Sequence, residues 1–545
     1  MKTPILGSAY VARSVNAADA RMINLFPEVV PEAGMEPAFI QRCPGLLRQK
    51  TIGTGPIRGL WAHQTRGTDY YVVSGFEVYK MTSLNGTPIK LGDVTGTGPV
   101  SIADNGTQIF FACNPDSYIY DESTDTFAQI TDPDFPGAVT VGYLDGYFVF
   151  NEPSSQKIWV TQLYDGFQID PLEFASAEGS PDGVVGVLVD HRECWVFGTD
   201  STEVWYNSGG LDFPLSPIQG AFNEIGCAAP HSIAKMDNTV FWLGADARGQ
   251  GVVYRASGYN AQRVSTHAIE WRIQNYLNMS DAVGYTYQQD GHAFYVLSFP
   301  SADETWVFDA ATGAWHQRSS YSAIAPTEGA FNAEAFYSEA FYTVLPLTPS
   351  GNSGVFSRHR SNCQCNFQGN IIVGDYANGN IYTFELNVFE DNNIAQRWLR
   401  SWRALPTGQN NLKRTANHSL QLECETGVGL NGNSFVELPT VYLQTENGDY
   451  LITEDGDYLI ADQDIVFTQG ANPQAMLRWS DDGGHTYSNE HWASMGKIGA
   501  TGTRVMWRRL GMTLKLRDRV YELSGSDPVR IYLTGAELLL SGTNA

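Results

Sequence analysis

Short runs of aromatic and β-branched residues return along this chain roughly every 40 to 50 residues, about the length of one four-stranded propeller blade. Examples are Tyr70-Tyr71-Val72-Val73, Ile109-Phe110-Phe111-Ala112, Tyr147-Phe148-Val149-Phe150, Trp195-Val196-Phe197, Val240-Phe241-Trp242-Leu243 and Phe294-Tyr295-Val296-Leu297. Glycine, asparagine or aspartate separates the runs, the residue types that reverse a chain in a tight turn. Two hairpins also resemble one another: Tyr118–Phe127 and Trp306–Trp315 are each an apolar strand, an aspartate-led turn and a strand opening on an aromatic. The recurrence predicts an all-β protein in which residues 51–395 form a β-propeller of six or seven degenerate blades, preceded by an N-terminal arm over residues 1–50. Composition agrees. The 545 residues include 54 glycines, 27 tyrosines, 27 phenylalanines and 13 tryptophans, which suit pleated strands joined by tight turns.

Three segments depart from the pattern. In residues 266–277, Ile269, Ile273, Tyr276 and Leu277 share one face at a 3.6-residue period, which predicts a helix capped by Ser265 or Thr266. Residues 325–362 are irregular and carry the near-repeat Glu334-Ala335-Phe336-Tyr337 and Glu339-Ala340-Phe341-Tyr342, so they read as an insertion decorating a blade. From residue 396 the alternating strands lengthen, which predicts a separate C-terminal β-sandwich-like domain over 396–545. Inside it, the tandem octapeptides Thr445–Ile452 and Thr453–Ile460 each place an Asn-Gly or Asp-Gly turn before Tyr-Leu-Ile. They predict a protruding acidic hairpin over 441–465.

The chemistry-bearing motifs are few. A His-Glu-x-x-His zinc helix, a Gly-x-Ser-x-Gly nucleophile turn and a Walker phosphate loop are all missing. Gly53/Gly55 and Gly96/Gly98 open no helix after a strand and read as loops. His359, Cys363 and Cys365 leave a tetrahedral zinc site one ligand short, with a Cys-x-Cys gap in place of the usual Cys-x-x-Cys. No catalytic, cofactor-binding or metal-ligating residue is expected, and no cofactor. Ser480–Tyr487 (Ser-Asp-Asp-Gly-Gly-His-Thr-Tyr) matches the Asp-box pattern known from sialidases. Its physical content is a hairpin: the aspartate accepts backbone N–H bonds, glycine takes a positive φ, and the aromatic packs beneath.

Formal net charge is −25. Such a surface repels phosphate at long range, which argues against a nucleic-acid binder held by counterion release. The charge either keeps an aromatic-rich chain from self-associating or gives DNA a wall to slide past. Residues 441–482 hold nine acidic side chains against Arg478 alone, without the twelve-residue pattern of a calcium loop. Lys497–Arg530 instead holds eight basic residues, and Arg397, Arg400, Arg403, Lys413 and Arg414 form a second basic stretch. Both read as solvated strand faces or as contacts in which opposite patches fix register. Seven scattered cysteines do not make a disulfide framework and fit assembly in a reducing cytoplasm. Neither a signal peptide nor a membrane span is expected from the apolar patterning.

Several strings, in order along the chain, resemble the tail nozzle or tail hub family of short-tailed bacteriophages, the packaged-DNA stabilisation proteins. They are Asn24–Glu28, Pro44–Leu46, Gly55–Gly59, Phe174–Gly186 (Phe-Ala-Ser-Ala-Glu-Gly-Ser-Pro-Asp-Gly-Val-Val-Gly), Phe197–Tyr206, Val264–Glu270, Arg504–Gly511 and Leu523–Pro528. The resemblance implies a β-propeller subunit of a six-fold ring in the virion tail, below the portal and its head-to-tail adaptor. It implies a closing needle or plug, contacts with tailspikes or fibres, and DNA that passes without sequence-specific binding. No catalytic residue transfers. The competing expectation is a tail-associated propeller that binds or cleaves glycans, suggested by the Asp box and the many aromatics.

Overall fold

The computed structural model describes residues 2–542 except 15–17, 31–36, 64–66, 178, 211–212, 247–248, 324–353, 404–413, 431–469 and 514–518. The expected insertion falls largely, and the tandem octapeptides entirely, outside the described residues.

Among the described residues, seven antiparallel blades make the propeller. The first three are 57–62/70–74/77–81/89–93, 101–104/108–112/117–121/126–129 and 141–144/147–151/157–160/174–176. The next three are 184–190/193–198/202–207/215–223, 234–236/239–246/249–257/260–263 and 283–289/292–299/304–309/314–323. The seventh combines 361–367, 370–375 and 380–385 with the N-terminal strand Gly45–Thr51, whose Leu46 pairs with Phe384. Of the two blade numbers the sequence allowed, seven is the one formed.

The apolar runs are nearly continuous because every blade is buried on both faces. Side chains alternate along a strand, so Phe110 packs toward the third blade while Phe111 packs toward the first. Phe241 likewise faces the sixth blade and Trp242 the fourth. Among the described residues seven such clusters fill the seven interfaces between blades, and an eighth fills the sandwich. At about 25 cal/mol per Å² of apolar surface buried, these clusters are the main stabilising term.

In five blades the first two strands are joined by a two-residue turn with both residues at positive φ: Asp145-Gly146, His191-Arg192, Asp237-Asn238, Asp290-Gly291 and Gln368-Gly369. This is the turn whose twist matches that of the flanking strands. The helix forms over His267–Gln274, with Ile269 and Ile273 in the cluster between blades five and six. It is shorter than expected: Leu277 lies beyond it and is fully exposed. Thr266 occupies the cap position without a side-chain cap bond, and the Ser265 hydroxyl donates to Glu270 instead (2.7 Å).

The expected N-terminal arm is not an arm. Its strands Leu25–Val29 and Ala38–Arg42 belong to one sandwich sheet, next to Tyr532–Gly542, Thr415–Cys424 and Met506–Arg508. Met22–Ile23 is shared: Ile23 pairs in parallel with Gln317 of blade six and antiparallel with Leu399 of the other sandwich sheet. That sheet continues through Val520–Gly525 and Gln474–Ser480 to His491–Ser494. One hydrogen-bonded ladder thus runs from the propeller into the sandwich. Ile5, Leu25 and Ile40 sit in the sandwich core with Trp398, Trp402 and Tyr521. Among the described residues no helix is long and apolar enough to cross a membrane.

Candidate functional site

The inner strands of all seven blades surround a central channel of about 540 Å³, with Arg58, Trp61, Asp104, Tyr143, Lys235 and Gln364 in its wall. Arg58 braces the first blade, because its guanidinium donates to the carbonyls of Gly98 (2.6 Å), Gly75 and Thr95 (3.0 Å each). Trp61 donates its indole N–H to Asp104 (2.8 Å). Burial pushes the His231 imidazole down to about 4, so this wall residue is neutral at pH 7. A polar cleft of about 830 Å³ opens at the first-hairpin end of blades four to seven, where the amides of Asn238, Gln289, Gln364 and Asn370 stand beside the charged groups of Asp190, Lys235 and Glu385.

Polar bonds lace neighbouring blades together at that end. Arg192 makes a bidentate pair with Asp145 of blade three (2.9 Å each), and His191 bridges Asp190 (2.8 Å) and Asn238 of blade five (2.6 Å). Both residues hold left-handed backbone, which costs about 1–2 kcal/mol per non-glycine residue, and these exposed bonds offset only part of that strain. His63 links blades one and two, lying 3.2 Å from Asp104 and 3.3 Å from Glu122. The hydrogen bond to Asp104 is the main reason its pKa is raised, with Glu122 adding to it. Ordinary propeller geometry needs none of these charges, so they lock an already closed disc.

A second set of buried charges ties propeller to sandwich. Arg42 donates to the carbonyls of Asp527 (2.6 Å), Val529 (2.8 Å), Phe389 (3.3 Å) and Gln396. It joins the N-terminal strand, the connection after blade seven and the C-terminal strands at one point. Burial lowers its pKa to about 9, leaving it charged at neutral pH. Nearby Asp391 is pushed up to about 6 by burial, against the pull of Arg318, Arg360 and Arg42. Arg400 donates to the Ile5 carbonyl (2.6 Å).

The Asp box folds as its pattern predicts. Asp482 accepts from the backbone N–H groups of His485 (3.0 Å) and Thr486 (2.8 Å) and from the hydroxyls of Ser480 and Thr486 (2.6 Å each). These hydroxyl bonds hold its carboxyl well below the usual carboxylate range. Gly484 has φ 102°. Tyr487 packs between Arg21 and Arg478 and donates to Asp19 (3.0 Å), while Glu522 pairs with both arginines. The box thereby fastens the N-terminal residues to the sandwich.

His359 is buried beside Ser361, its Nδ1 2.5 Å from the hydroxyl, and Cys363 and Cys365 pack against blade one. Among the described residues no three His, Cys, Asp or Glu side chains converge as a metal site. Sequence reasoning missed Arg42, His63 and Asp391, whose roles arise from partners hundreds or tens of residues away. Of the basic residues at 497–530, Arg519 is buried against Asp481, whereas Lys497, Arg504, Arg508 and Arg509 are exposed.

Solved structures similar to this chain include a computationally designed protein, Ika8 (14% identity, 63% of this chain and 99% of that one, TM-score 0.36). Others are YCF48 from Cyanidioschyzon merolae (13%, 63% and 99%, TM-score 0.38) and BamB from Moraxella catarrhalis (9%, 67% and 97%, TM-score 0.35). Comparison with curated proteins finds no match. Two family profiles do match: bacteriophage P22 Gp10, beta-propeller, over residues 1–339, and bacteriophage P22 Gp10, beta-sandwich, over residues 447–540. With a propeller and a sandwich joined through one sheet, and with both profiles matched in order, the chain belongs to the bacteriophage P22 Gp10 family of packaged-DNA stabilisation proteins, structural components of the phage tail nozzle.

Proposed function

We propose that the protein acts without catalysis, as one copy in a six-fold ring that extends the DNA channel below the portal and adaptor and holds packaged DNA until ejection. Support comes from the sheet shared by propeller and sandwich, because a conduit wall under DNA pressure needs domains that do not hinge. The charge supports it too. B-DNA carries one negative charge per roughly 1.7 Å of axis, so a wall drawn from a chain of net charge −25 lets DNA slide where a basic one would grip. A needle or plug at the far end, and tailspikes or fibres around it, complete the assembly in this reading. All seven cysteines are free thiols, which fits assembly in the host cytoplasm before release.

The carrying observation is the ordered match of both family profiles to a chain whose propeller and sandwich share a sheet. The test is a particle made without this protein: heads fill, no tail extension is visible below the adaptor, and DNA leaks from purified particles. Full retention of DNA in such particles refutes the reading.

A further inference from the structure

Charge is not spread evenly around the disc. Residues 101–223, which build blades two to four, carry nineteen acidic residues against Lys157 and Arg192. On the third blade the loop between its last two strands, residues 161–173, presents Leu163, Tyr164 (63% exposed) and Leu172 (77% exposed), with Asp165, Asp170 and Glu173 among them. Tyr164 holds φ 61° and donates its N–H to the Gly146 carbonyl (2.8 Å), so the tip is a fixed knob. An apolar centre within a charged rim is the anatomy of a protein contact.

The sandwich carries the counterpart. Its strand His491–Ser494, the following loop and strand Met506–Arg508 form one continuous segment at the end of both sheets. Trp492 (60% exposed) and Ile498 (57% exposed) stand out from it. Lys497, Arg504, Arg508 and Arg509 accompany them, and no acidic residue occurs between His491 and Met512. The strand order keeps the two patches in separate parts of the fold. The sandwich joins blade six, three blades round the ring from blade three, and His491–Ser494 is the sandwich strand most distant from blade six in the shared sheet.

Two distinct patches of opposite sign on one chain are complementary to each other in a second copy, and a contact between unlike patches repeats head to tail. We infer that the 161–173 loop of one copy seats on the 491–512 segment of the next, Leu163, Tyr164 and Leu172 meeting Trp492 and Ile498 inside a ring of acidic–basic pairs. This deepens the ring reading above by assigning its subunit contact.

The test is cross-linking of the full-length chain carrying Leu163→Cys and Ile498→Cys, using a short bismaleimide, both as purified protein and in assembled tails. Wild-type chain measures the background from Cys363 and Cys424. The expected result is a ladder of linked multimers from the doubly substituted chain, and dimers alone when the two single variants are mixed. Adding Arg508→Glu and Arg509→Glu lowers the yield about tenfold, as loss of paired rim charges does. Unlinked monomer in both preparations overturns the contact, as does a dimer from either single variant alone or a product linked to another tail polypeptide. A ladder from purified chain that is missing from virions sustains the contact and defeats the tail role. Chain present in DNA-retaining tails without a ladder defeats only the contact.

Discussion

His63 shows how a single side chain here acts across a blade boundary. It is buried between Asp104 and Glu122 of the next blade, and the Asp104 hydrogen bond raises its pKa. A group raised on folding contributes stability that is fully present below its unfolded value, about 6.5, and lost as pH rises through the folded value. The disc therefore loses stability as pH climbs from 6 through that raised value. Thermal midpoints measured across this range should show the fall, and His63→Gln should flatten it while costing about 1 kcal/mol or more at pH 6. A His63→Gln profile parallel to wild type contradicts the assignment. In the sequence His63 is one of ten histidines with no distinguishing neighbour. Its partners are set by strand register 41 and 59 residues away, which local pattern does not encode.

At the scale of elements, ring closure depends on one strand from the far N-terminus. Leu46 lies in the cluster between blades six and seven, fully buried, on the strand that pairs with Asn380–Glu385. Leu46→Asp places a charge there and should cost about 3–5 kcal/mol, the range of buried-core disruptions. Hydrogen exchange should speed up first in Asn370–Asp375 and Asn380–Glu385, before other blades respond; uniform exchange across all seven would exclude the closing role. The blades themselves were legible because burial on both faces writes continuous apolar runs. The closing strand was not, because Leu47, Arg48 and Gln49 give Gly45–Thr51 a mixed pattern that reads as an arm. The helix was placed correctly and its end misjudged: Leu277 fits the helical period, but the chain has already turned at Asn275.

For the whole molecule, the consequential feature is the sheet that Met22–Ile23 carries from blade six into the sandwich. It predicts that propeller and sandwich unfold together. Ile23→Pro removes a ladder donor between two strands, so calorimetry should show one wild-type transition resolved into two, the sandwich melting earlier. A single transition in the variant, or two in wild type, would falsify the coupling.

The sequence alone determined the fold class, the radial repeat, the Asp-box hairpin and the resemblance to the nozzle family, because each is written in local periodicity or contiguous strings. The tertiary structure decided the blade number, the fate of residues 1–50, and which charges bridge blades and domains. The reason is physical: strand-forming tendency is a property of neighbouring residues, whereas pairing is a choice among distant strands of similar propensity. That choice is settled only when the ring closes and every buried backbone group finds a partner.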